Sequence, residues 1–243
     1  MLNHLFELRR RALHVLTFFA ALFMLFFFFA ADLFHFLMMP LLHALPKQDS
    51  MIATQLTSTV LTPIKLAADA AMLATAPFAL LHAWRFASPG LYRRERDNVR
   101  WAIVSSLILF AAGMLFCFYL VLPFMLQFFA GALPSGVRLM PDMGDAVDFI
   151  TRMLLIFGFC FQVPLLCLLL VRLQLLEVAA LKMVRPYIIV AAFIVGMLLT
   201  PPDVLSQIML AIPLCLLYEL GIVLAVFFAK PATGRKSELA GDG

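Results

Sequence analysis

Charge is scarce in this sequence. Of 243 residues only 13% are Asp, Glu, Lys or Arg, while 64% are hydrophobic and the mean hydropathy is +1.02. A soluble domain carries about a quarter charged residues, so that class is excluded. Long polar/apolar alternation is also absent, which excludes a transmembrane β-barrel. The four cysteines, Cys117, Cys160, Cys167 and Cys215, lie inside apolar runs without C-x-x-C spacing or a neighbouring histidine. They read as packing residues, with neither a metal site nor a disulfide framework. No H-E-x-x-H, no G-x-S-x-G, no phosphate-binding Gly-rich loop and no series of facing carboxylates occurs, so neither an enzyme nor a cofactor is expected. No repeated halves are evident either, which argues against a secondary transporter. A solute transporter remains the alternative reading, and solute uptake by the isolated chain would single it out.

The charges that are present cluster between apolar runs of about 20 residues, the length that carries an α-helix across ~30 Å of hydrocarbon. These runs predict an all-α integral membrane protein with six spans, at about 12–34, 63–86, 101–130, 148–171, 186–200 and 204–228. The first run, preceded by Arg9, Arg10 and Arg11, outlasts a signal-peptide core and has no convincing cleavage site after it, so a retained span is expected. The fifth span, started at Pro186, would reach only ~22 Å and the third ~45 Å, at 1.5 Å per residue. The "TPPD" stretch, Thr200 to Asp203, separates the last two spans by a tight turn. Residues 1–230 are read as one membrane domain, and 231–243 as a disordered tail.

Lys and Arg set the orientation. Fourteen of the 18 fall on one side, against Lys47, Lys65, Arg138 and Arg152 on the other, so the positive-inside rule puts both termini in the cytoplasm. The stretches 35–62 and 131–147 are then exterior. The basic residues flank helices and form no single patch, so no nucleic-acid partner is expected.

Deep polar residues need explaining, because hydrocarbon penalises them. Asp69 follows Lys65 by one helical turn, and an i,i+4 pair accounts for it. Gln162 stands just before the kink expected at Pro164, where it can bond to carbonyls loosened by the proline or to a polar residue of a partner helix. Thr200 and Gln207 flank the TPPD turn at similar depth. Pro77, Pro123, Pro164 and Pro213 are read as kinks. On the cytoplasmic side Glu7 and Glu95 each sit among arginines, as local counter-ions or as receptors for another cation.

The stretches "HLFELRRR" (4–11), "PIKL" (63–66), "SPGLYRRER" (88–96), "RPYIIV" (185–190) and "GMLLTPPDVLSQ" (196–207) resemble, in order, the signatures of the TatC family. TatC is the multispanning core of the bacterial twin-arginine translocase. The resemblance implies six helices in a cupped bundle with short fifth and sixth helices, both termini cytoplasmic, in the bacterial inner membrane. It implies a receptor for Arg-Arg signal peptides that works with the single-span subunits TatA and TatB, associates with itself and uses the proton gradient. It assigns signal-peptide binding to Glu7 and Glu95, with Arg9 and Phe86 beside them, and partner docking to Gln162, Met197, Thr200 and Gln207. Pro40 is assigned to the exterior cap. Many members carry a glutamate where this chain has Gln162, which removes a charge from any docking scheme there.

Overall fold

The structure, a computed structural model, describes residues 2–44, 51–53, 57–87, 96–131, 140–173, 175–200 and 204–228. Among these, nine α-helices form, with no strand. They are α1 (Leu2–Phe28), α2 (Ala30–Ala44), α3 (Ser58–Ala87), α4 (Arg96–Phe116), α5 (Leu122–Gly131), α6 (Met143–Cys160), α7 (Val163–Arg172), α8 (Val178–Leu199) and α9 (Val204–Phe228). Six stretches are long and apolar enough to cross a membrane: Arg9–Phe28, Val60–Ala83, Trp101–Gly131, Met143–Arg172, Val178–Leu199 and Val204–Phe228. Large apolar side chains such as Phe28, Trp101 and Phe227 are exposed on them, as lipid-facing positions are.

The chain divides into two compact units. In the first, residues 1–162 with 199–201, α3 packs against α1, α2, α4 and α6. Its core includes Met38, Leu66, Phe110, Leu122, Met125, Ile150, Met153 and Phe157, all almost fully buried. Asp142 starts α6: its side chain accepts from Gly144 N at 2.8 Å and Asp145 N at 3.4 Å, satisfying N–H groups that the first turn leaves without helical partners. In the second unit, residues 163–198 with 202–243, α7 packs on α9. A Cβ on Gly221 would lie 3.0 Å from Pro164 Cα and 3.1 Å from Cys167, so glycine allows that close approach. The Tyr218 hydroxyl donates to Leu181 O at 2.9 Å and Arg185 Nη2 to Glu219 Oε2 at 2.7 Å, tying α9 to α8.

Several sequence expectations change. The first run does not end in a loop at 35: the chain turns at Phe29, where Phe29 N bonds to Phe26 O at 3.2 Å, and continues as α2. Pro40 is therefore a buried residue inside α2, not a loop residue. The fifth span is 22 residues, because Pro186 lies within α8 and does not start it. Residues 178–185 add two turns, begun by bonds from Ala180 N and Leu181 N to Glu177 O. The ~22 Å length read from sequence was too short. The sixth span, 204–228, has the expected bounds.

Proline acts in two ways here. Before Pro123 the helix widens into a π segment, Cys117–Val121, with Leu122 N–H reaching back five residues to Cys117 O. That widening eases the clash between the ring and the carbonyl four residues earlier. Before Pro164 the α-helix ends instead, and Pro164 sits in the first turn of α7, where a missing N–H costs nothing. Pro77 and Pro213 lie inside the unbroken helices α3 and α9.

Candidate functional site

At the N-terminal end of α1, Glu7 and Arg11 are one turn apart. Arg11 donates through both Nε, at 3.1 Å, and Nη2 to the same oxygen, Glu7 Oε1. Its Nη1 donates to His82 O at 2.9 Å, on α3. Arg11 thus clamps Glu7 to the end of α3 by a planar fork that a lysine could not reproduce. The Glu7 side chain remains 40% exposed, against 21% for Arg11, and no described group bonds Oε2. Around the clamp, the His14 and His82 rings stack at 6.2 Å, and Phe78 meets both Phe18 and His82 at 4.5 Å. Arg9 and Arg10 are exposed. Glu95 lies outside the described residues. Phe86 belongs to α3, one turn past His82, but its side chain is likewise outside them.

Along this end, α1, α3 and α6 border an open groove of about 470 Å³, lined by groups including Val15, Phe19, Met72, Ala76 and Phe159. Among the described residues Thr75 is its one polar group, and the buried Thr75 hydroxyl has no partner among them. Such walls suit apolar chain.

Gln162 is 5% exposed and Ser106 1%. Ser106 Oγ donates to Gln162 Oε1 at 2.7 Å, and Gln162 Nε2 donates to Ser106 O at 2.9 Å. Of the two partners expected for Gln162, carbonyls loosened by Pro164 or a polar residue of a partner helix, neither is the one observed: its amide closes a ring with Ser106 on α4 of the same chain. Nothing in the sequence marks Ser106 as this partner, because a serine inside a helix can bond back to the carbonyl four residues earlier. Two glycines set this crossing. A Cβ on Gly113 would lie 2.6 Å from Phe157 O, and one on Gly158 would lie 2.7 Å from the Phe110 ring.

Thr200 is buried in the first unit, whereas Met197 and Gln207 belong to the second. Met197 is exposed and Gln207 half-buried, with its backbone against Gly196. The Lys65–Asp69 pair is also corrected. Lys65 reaches Asp148 on α6, and Asp69 meets Thr151 on α6 at 3.1 Å. Nothing local in the sequence signalled Asp148, 83 residues from Lys65.

Six apolar stretches of membrane-spanning length among the described residues define the class, a polytopic membrane protein. Comparison with known proteins gives the family. Residues 3–213 match the family model "Sec-independent protein translocase protein (TatC)". The chain is 42% identical to the Sec-independent protein translocase protein TatC of Haemophilus influenzae, over 94% of this chain and 89% of that protein. It is 38% identical to that of Escherichia coli K12, over 97% and 92% respectively. A crystal structure of the twin-arginine translocase receptor TatC superimposes with a TM-score of 0.83 at 30% identity, covering 92% of this chain and 98% of the other. This chain belongs to the TatC family. It is a multi-pass membrane subunit of Sec-independent protein translocation, a transport component and not an enzyme.

Proposed function

We propose that this chain is the receptor that binds twin-arginine signal peptides at its cytoplasmic face, with Glu7 and Glu95 as the two carboxylates. The observation that carries the reading is the state of Glu7. Both Arg11 bonds fall on Oε1, the carboxylate is held to α3 through Arg11, and no described group bonds Oε2 at this partly exposed site. A fixed carboxylate with one oxygen open can accept an incoming guanidinium without being reordered. A charge-assisted bond contributes about 1.5–3 kcal/mol when shielded and less when exposed, so two such contacts give selective and reversible binding. Arg9 and Phe86 are the further residues this reading assigns to signal-peptide binding.

On this reading both termini are cytoplasmic, the membrane is the bacterial inner membrane, residues 1–230 act as one membrane domain and 231–243 form a tail. The partners are TatA and TatB, copies of the chain associate with one another, and the proton gradient drives export of folded cargo. Met197 and Gln207, accessible on the second unit, offer a partner helix direct contact. Gln162 and Thr200, both buried, act by holding the packing of the first unit, and Pro40 by holding α2.

The test is binding of a labelled Arg-Arg signal peptide to the full chain in liposomes. Glu7→Gln keeps the shape and removes the charge, and is expected to weaken binding by about tenfold, the equivalent of ~1.4 kcal/mol. Unchanged affinity would overturn the assignment.

A further inference from the structure

Lys65 and Arg152 converge on a single oxygen. Lys65 Nζ bonds to Asp148 Oδ2 at 2.5 Å, and Arg152 Nη2 stands 3.7 Å from the same atom. That second distance is beyond a hydrogen bond, so the guanidinium of Arg152 has an acid near it but none that its donors hold. The other acid of this cluster, Asp69, accepts from Thr151 Oγ1 at 3.1 Å and acts on the two cations only through space. Both cationic side chains are open, Lys65 at 50% and Arg152 at 68% exposure. Both also lie within spans, Val60–Ala83 and Met143–Arg172, where a cation must find an anion or reach the interface. They stand at the end of α3 remote from Glu7, since Arg11 grips the opposite end at His82.

An apolar groove continues from these cations. Helices α3 and α6 run side by side in the same direction: Lys65 meets Asp148, and one turn on Asp69 meets Thr151. The open groove of about 470 Å³ begins a further turn along the same seam, at Met72 on α3 and Leu155 on α6, and continues past Ala76 and Phe159 against α1. On α3 its lining runs from Met72 to Ala79, about 10 Å at 1.5 Å per residue. Met72 and Phe159 are exposed, so the groove is open on the side that faces lipid. Helical spacing puts Leu155 and Phe159 on the face that carries Arg152, at three and seven residues.

We propose that Lys65, Arg152 and this groove form a binding site for one anionic phospholipid. The phosphate sits on Arg152, whose fork of donors matches two phosphate oxygens, with Lys65 beside it as a point charge. An acyl chain lies in the groove below, against Met72, Leu155 and Phe159. A headgroup that carries its own ammonium already compensates its phosphate, so phosphatidylglycerol fits the guanidinium better than phosphatidylcholine does. Basic groups at the mouth of an apolar cleft between spans are the usual form of a lipid-headgroup site. The bound lipid would join α3 to α6 at the end where Asp148 alone now bridges them, and the site is independent of Glu7.

Native mass spectrometry of the full chain in detergent tests this, with phosphatidylglycerol and phosphatidylcholine of identical acyl chains added in equal amounts. The chain should retain phosphatidylglycerol several-fold more than phosphatidylcholine. Arg152→Gln should bring the two to the same level, and Arg152→Lys, which keeps the charge, should keep part of the preference. The Arg152 contact is long and exposed, so Arg152→Gln is expected to melt as wild type does. Phosphatidylglycerol carrying a diazirine in its acyl chain should label Met72 and Leu155 on illumination. Equal retention of the two lipids by the unaltered chain, a preference that survives Arg152→Gln, or labelling confined to α8 and α9 would overturn the proposal. Displacement of phosphatidylglycerol by an equal concentration of inorganic phosphate would overturn it too, because the groove would then contribute nothing. None of these outcomes depends on whether signal peptides bind at Glu7.

Discussion

Gln162 and Ser106 bond to each other twice, at 2.7 Å and 2.9 Å, across the contact between the end of α6 and α4. Both are buried, so each closes the other's hydrogen bonding without water. Gln162→Leu leaves the Ser106 hydroxyl without its partner in an apolar setting, a loss of about 1–3 kcal/mol. The expected result is a lower melting temperature of the chain in detergent, with signal-peptide affinity retained and TatA or TatB association weakened. Gln162→Glu tests the donor separately. An ionised glutamate accepts from Ser106 Oγ but cannot donate to Ser106 O, so that variant should be more stable at acidic than at neutral pH. Equal stability at both would show that the Nε2 bond contributes nothing.

Gly113 and Gly158 allow α4 and α6 to approach. The added methyl of Gly113→Ala would meet a backbone oxygen at 2.6 Å, which cannot rotate away. Overpacking of this kind costs about 1–3 kcal/mol. Gly131→Ala has open space around it and serves as the control. Thermal denaturation should separate the two, and a Gly113→Ala melting temperature equal to that of Gly131→Ala would contradict the packing described.

Arg185 and Glu219 join α8 to α9 at 2.7 Å, and among the described residues Arg185 Nε has no partner. Both side chains are partly exposed, so the pair contributes at most about 1 kcal/mol, and removing one charge leaves the other without its partner, whereas removing both does not. Arg185→Met and Glu219→Gln are each expected to lower stability more than the double variant does. Additive single and double losses in a double-mutant cycle would show that the pair is not coupled.

Arg11 holds Glu7 through a fork of two bonds and grips His82 O with its third nitrogen. Arg11→Lys keeps the charge but loses the fork, so Glu7 is no longer fixed. Signal-peptide affinity should fall by a factor of a few, less than for Glu7→Gln. A rise in affinity would mean that Arg11 competes for Glu7 and does not position it.

The sequence made the spans legible because hydrocarbon demands long apolar runs, and α9 lies where the pattern put it. It misjudged the start of α8 because Pro186 looks like a first-turn proline, while the preceding "VAALKMVR" is good helix former that a proline eight residues in does not break. The break at Phe29 leaves no mark at all, since no Gly or Pro stands there. Side-chain partners fared worst. The i,i+4 spacing of Lys65 and Asp69 was visible, yet the helix crossing gave Lys65 to Asp148 and Gln162 to Ser106, choices that only tertiary packing makes. Glu7 was legible as a candidate from its motif, but its clamp to α3 through Arg11 was not.

The central claim is recognition of paired guanidinium groups by carboxylates, and the most direct measurement is equilibrium binding of two signal peptides differing only at the twin residues. The full chain in liposomes should bind the Arg-Arg peptide at least several-fold more tightly than the Lys-Lys peptide, and Glu7→Gln with Glu95→Gln together should abolish the difference. Equal affinity for the two peptides in the unaltered chain, or a preference that survives loss of both carboxylates, would contradict the account.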